Sequence, residues 1–91
     1  MPSVTADELH ISSLLVHARP AALERVRAAI DALEGAQVHG ASPEGKIVVT
    51  LEGASEGFVT DRLAAIRDLP GVLSAVLVFH QVEPLEATEG A

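Results

Sequence analysis

KIVVTLE, residues 46–52, is the stretch that decides how this chain folds. Apolar and polar side chains alternate along it, the period expected of a strand with one buried face. Ile47, Val49 and Leu51 make one side, and Lys46, Val48, Thr50 and Glu52 the other. Immediately upstream, SPEG (42–45) places Pro43 and Gly45 where a tight turn accepts them, and AQVHGA (36–41) reads as a short strand feeding that turn. Downstream, Ser55 is placed to cap a helix over 56–69 whose apolar stripe is Val59, Leu63, Ile66 and Leu69. Pro70-Gly71 ends that helix, and GVLSAVLVFHQVEP (71–84) supplies a last strand.

Toward the N-terminus the pattern is repeated. LHISSLLVHA (9–18) is strand-like, and Pro20 follows at a position where a first helical residue tolerates proline. Leu23, Val26, Ile30 and Leu33 then recur at spacings of three and four, opposed by Glu24, Arg25, Arg27, Asp31 and Glu34. Gly35 is the expected stop of this helix. An internal echo links the halves: Ala28-Ala29-Ile30-x-x-Leu33-x-Gly35 returns as Ala64-Ala65-Ile66-x-x-Leu69-x-Gly71.

The order is therefore β-α-β-β-α-β. Two right-handed βαβ halves of this kind build an α+β ferredoxin-like sandwich, a four-stranded antiparallel sheet with both helices on one face. Strand order 4-1-3-2 puts 9–18 and 46–52 in the middle. Residues 9–83 are expected to form this single domain, between a flexible arm (1–8) and an acidic flexible tail (84–91). Two helices cover one face of the sheet and leave the other open. On the third strand Ile47, Val49 and Leu51 must face the helices, so Val48 and Thr50 face out. The first strand is expected to turn Leu14 and Val16 inward and Ser13, Leu15 and His17 outward. The last is expected to turn Ala75, Leu77 and Phe79 inward and Val76, Val78 and His80 outward. The open face then carries Leu15, Val48, Val76 and Val78 as one apolar patch, flanked by histidines and ringed with carboxylates. Such a patch marks a binding surface or an oligomer seam.

Composition narrows what that surface holds. The chain has 91 residues, 48% of them hydrophobic, enough for one core and too short for two. Six Lys and Arg against thirteen Asp and Glu give a net charge of −7, which repels nucleic acid and attracts cationic partners. Phe58 and Phe79 are the only Phe, Tyr or Trp residues, fewer than a protein that stacks bases normally carries. With no cysteine there is no disulfide, thiolate nucleophile or zinc-thiolate site. The acidic start, MPSVTADELH, is not a secretory signal, and no apolar run approaches membrane-spanning length. A cytoplasmic location is expected, with no membrane insertion.

Four histidines raise the question of a metal. His10 and His80 end neighbouring strands and are expected to lie near each other, yet no third ligand is supplied, and solvated rim positions are the simpler reading. Catalysis finds no support either. Ser12 and Ser13 sit in a strand without an elbow turn, Lys46 lies at a strand entrance, and the sequence names no orienting partner for His80. Acylphosphatases share the architecture, but Arg19-Pro20 lacks the glycines of a phosphate loop. Metallochaperones of this fold need a cysteine pair, and its RNA-binding versions need strand aromatics. No enzyme activity and no cofactor are expected.

SSLLVHARP (12–20), GKIVVTLE (45–52) and GVLSAVLVFHQVE (71–83) together resemble the NapD family of small assembly chaperones. The most specific pieces are the Ser-Leu-x-Val strand at 13–16 and the Gly-Val-Leu…Val-Phe-His-Gln ending at 71–81. The resemblance covers residues 10 to 83. It implies a chaperone that binds the twin-arginine signal peptide of the catalytic subunit of the periplasmic nitrate reductase, NapA. Binding would hold the precursor back from the Tat translocase until its molybdenum cofactor is loaded. On that basis the expected peptide-binding set is Ser13, Leu15, His17, Val48, Thr50, Val76, Val78 and His80, with Glu52, Glu83 or Glu86 as rim carboxylates for the arginines. The protein is expected to work as a monomer or weak dimer. The competing reading is a dimeric small-ligand sensor of the ACT or Lrp/AsnC type, with the patch as its seam. HARPAA (17–22) does not supply the Gly-rich loop such a sensor uses to capture a ligand carboxylate.

Overall fold

A computed structural model describes residues 8–84. The strands are β1 (Glu8–Ala18), β2 (Ala36–Ala41), β3 (Lys46–Gly53) and β4 (Val72–Pro84), with helices α1 (Leu23–Asp31) and α2 (Glu56–Arg67). They form one antiparallel sheet in the order β2-β3-β1-β4, with β1 and β3 inside and β2 and β4 as edges. This is the expected ferredoxin-like topology. Glu8 and Pro84 belong to β1 and β4, so the sheet takes one residue from each expected terminal segment. The rest of the arm and tail, Glu86 included, lies outside the described residues.

Alternation in the interior strands produces the core. Leu14, Val16 and Ala18 of β1 and Ile47, Val49 and Leu51 of β3 face the helices and are buried. Val26 and Ile30 of α1 and Val59 and Ile66 of α2 close over them, with Leu23, Leu33, Leu63 and Leu69 half-buried around the margin. A fully buried aliphatic side chain of this size stabilises the fold by roughly 1.5–3 kcal/mol.

Both helices stop earlier than their apolar stripes suggest. Helix α1 ends at Asp31 and α2 at Arg67, each four positions before its glycine. The intervening residues form the same turn twice. Leu33 N–H donates to Ile30 O (3.0 Å) and Ala36 N–H to Leu33 O (3.1 Å). In the second half Leu69 N–H donates to Ile66 O and Val72 N–H to Leu69 O, both at 3.1 Å. Gly35 and Gly71 take φ of +84° and +96°, the left-handed conformation that lets the chain reverse into β2 and β4. The sequence echo is therefore a repeated helix-to-strand connection. At the other end, Ser55 caps α2 by accepting from Phe58 N–H at 3.1 Å. Pro20 opens a 3-10 turn, Pro20–Ala22, that leads into α1.

The last strand departs from simple alternation. Leu15 pairs with Val76 and Leu14 with Leu77, but Ser13 pairs with Phe79 and Ser12 with His80. Val78 is an extra residue, a β-bulge, and beyond it the two faces exchange. Directly paired residues of antiparallel strands share a face. Phe79, expected inward, thus stands on the open face beside Ser13. His80, expected outward, turns to the helix side, where its Nδ1 lies 2.6 Å from the Oγ of Ser12.

Candidate functional site

Rows of paired side chains cross the open face from β3 through β1 to β4. Leu15 lies between Val48 and Val76, and Ser13 between Thr50 and Phe79. Ile11 lies between Glu52 and Gln81, and Leu9 faces Glu83. At the opposite end His17 lies between Lys46 and Ser74. Leu15, Val48, Val76 and Phe79 are 40%, 48%, 51% and 53% exposed, values that leave a continuous apolar strip uncovered across β3, β1 and β4. Val78 is 60% exposed at the bulge.

Of the expected site residues, the structure brings Ser13, Leu15, His17, Val48, Thr50 and Val76 together on this face, with Glu52 and Glu83 at its rim. His80 does not join them, because the bulge carries it across the sheet. Phe79, Leu9, Ile11 and Gln81 extend the face beyond the residues read from sequence. Leu9 and Ile11 follow from the two-residue period already used for Ser13 and Leu15. Phe79 carries no such signal, since only the register shift at Val78 turns it outward. His39 is a further addition: it occupies a register shift between β2 and β3, between Val38 and Gly40, and its Nε2 lies 2.7 Å from the Oγ1 of Thr50.

The histidines are not all solvated rim residues. His10 is only 9% exposed, because its even position in β1 points it toward the helices. Its ring centroid lies 5.5 Å from that of His80, and its Nε2 lies 3.5 Å from a Glu8 carboxylate oxygen. Its Nδ1 is buried with no hydrogen-bond partner among the described residues. The two rings are close, as their strand positions imply, but on the helix side. Among the described residues no group of three or more metal-ligating side chains comes together. No described helix is long and apolar enough to cross a membrane.

The open face thus combines an uncovered apolar strip with carboxylates at its rim. The family model described as "NapD protein" matches residues 9–84. Chaperone NapD of Paracoccus pantotrophus is 43% identical over 81 residues, covering 89% of this chain and 71% of its own. Chaperone NapD of Haemophilus influenzae is 25% identical over 77 residues, covering 84% and 83%. The solution structure of the Escherichia coli Tat proofreading chaperone protein NapD superimposes with a TM-score of 0.75 at 26% identity, covering 80% of this chain and 78% of that one. These relatives carry the name of a chaperone and not of an enzyme, and the chain belongs to the NapD family.

Proposed function

We propose that the protein is a cytoplasmic assembly chaperone that holds the twin-arginine signal peptide of the periplasmic nitrate reductase precursor, NapA, on the open face of its sheet. Occupying that peptide delays Tat export until the cofactor is inserted. The observation that carries this reading is the uncovered strip of Leu15, Val48, Val76 and Phe79 with Glu52 and Glu83 at one rim. A twin-arginine signal pairs a basic start with an apolar stretch. The strip offers apolar burial for the second and carboxylates for the first. Ser13, His17 and Thr50 border the strip and complete the contact set. No observation favours the small-ligand sensor, which the family assignment leaves without support.

Calorimetric titration with a synthetic twin-arginine signal peptide, at low and moderate salt, tests the proposal. The expected result is micromolar or tighter binding, roughly −8 kcal/mol or better, that weakens with salt and with a Lys-Lys replacement of the arginines. Absence of binding, together with a dimer in sedimentation, would reject the chaperone reading and make the strip a self-association seam.

A further inference from the structure

The open face is electrically polarised along its length. By strand position, three charged side chains belong to it among the described residues: Glu52 of β3, Glu83 of β4 and Lys46 of β3. Both carboxylates stand at the end marked by Leu9 and Ile11, on either side of β1. The ammonium stands at the end marked by His17. None of the three forms a salt bridge among the described residues; Glu83 accepts only a hydrogen bond from the Gln81 amide. Beside Glu52 the face opens into a cleft of about 360 Å³ walled by Leu9, Gly35, Ala36, Gln37, Thr50 and Glu52. Glu34, adjacent to that cleft in the chain, instead leans toward Arg62, at 3.8 Å.

From this layout we infer that the bound signal peptide has one orientation. Its basic start lies at the Glu52–Glu83 end, with an arginine in the Glu52 cleft, and its apolar stretch runs toward Lys46. The inference rests on the signal-peptide reading above and adds to it a polarity and an arginine seat. In that seat the carboxylate of Glu52 and the side-chain carbonyl of Gln37 face a guanidinium, whose stem lies along Leu9 and Ala36. Arginine suits such a cleft better than lysine, because its planar fork engages two acceptors at once.

The peptide's conformation follows from the sheet. Strands β1 and β3 are paired on both sides, so their face presents side chains and no free backbone groups. A segment lying there must satisfy its own N–H and C=O groups, and a helix does so. The helix dipole then reinforces the orientation, with its positive N-terminus at the carboxylates and its negative C-terminus at Lys46. From the Ile11 row to the His17 row β1 rises about 20 Å, the length of about 13 helical residues. Glu44, in the turn that precedes Lys46 and outside the strands, offsets part of that positive charge.

Paramagnetic broadening on the isotope-labelled full-length protein tests this directly, using two versions of the synthetic twin-arginine peptide. One carries a nitroxide beside the arginines and the other at the end of the apolar stretch. The first label is expected to broaden Gln37, Glu52 and Glu83, and the second His17, Lys46 and Ser74. The opposite pattern, or one shared pattern from both labels, overturns the orientation while the bound peptide leaves the chaperone reading standing. A peptide that fails to bind overturns both. In parallel, Glu52→Gln is expected to weaken binding roughly tenfold, and Glu52→Lys combined with Lys46→Glu by more than that, with the folded spectrum retained. Unchanged affinity in the double variant overturns the inference.

Discussion

Phe79 and His80 are neighbours in the chain that end on opposite faces of β4, and single substitutions separate their roles. Removing the His80 ring leaves the Ser12 hydroxyl, which has no solvent exposure, without its partner. His80→Ala is therefore expected to cost about 1–3 kcal/mol in urea unfolding, with peptide affinity little changed. Phe79→Ala should do the reverse, lowering peptide affinity while stability moves by less than about 1 kcal/mol, since the ring is already half in water. Strict alternation along β4 would exchange these two outcomes. On β3 the same logic contrasts adjacent valines. Val48→Glu is expected to weaken peptide binding at least roughly tenfold and leave the circular dichroism spectrum native. Val49→Glu should prevent folding, because Val49 has no exposure and an unpaired carboxylate there has no solvation.

Secondary elements are delimited by backbone chemistry as much as by apolar periodicity. The stripes ending in Leu33 and Leu69 run past the ends of both helices, because those leucines pack from the turn and not from the helix. Each turn depends on its glycine. At Gly71 an added Cβ would stand 2.6 Å from the Ala22 Cβ, and at Gly35 it would stand 2.6 Å from the Glu52 carbonyl oxygen. Gly35→Ala and Gly71→Ala are each expected to destabilise by about 1–3 kcal/mol, measured as a shift in the urea midpoint at constant slope. Gly35→Ala should also disturb the cleft beside Glu52, since Gly35 lines it and its carbonyl accepts from Glu52 N–H at 2.8 Å. Ser55→Ala removes the α2 cap alone and should cost about 0.5–2 kcal/mol.

For the molecule as a whole, a four-stranded sheet with two helices has one face more than its helices cover. On the proposed function, a chain carrying a net charge of −7 presents that face to a cationic, apolar segment. Long-range attraction between them acts on encounter, so stopped-flow association rates should fall steeply as salt rises through the range where the Debye length drops to about 10 Å and below. Dissociation rates should change less, because apolar contacts with Leu15, Val48, Val76 and Phe79 are not screened. An association rate indifferent to salt would mean that the carboxylates do not steer the peptide.

Read by itself, the chain determined the element order, the four-stranded topology and the inward sets of β1 and β3. Those features are written in local periods of two and about 3.6 and in the glycines and prolines between them. The outward placement of Leu15, Val48 and Val76 followed from the same alternation. Tertiary structure decided what happens past the bulge. The extra residue at Val78 is defined only by the pairing of β4 with β1, and VLSAVLVFHQV contains no glycine or proline to announce it. Its consequence, Phe79 joining the apolar strip and His80 leaving it, comes from strand pairing over more than sixty positions of sequence. Burial of His10 was decided the same way: its polarity suggests the rim, but its register opposite Gly53 and Val82 directs it to the helix side.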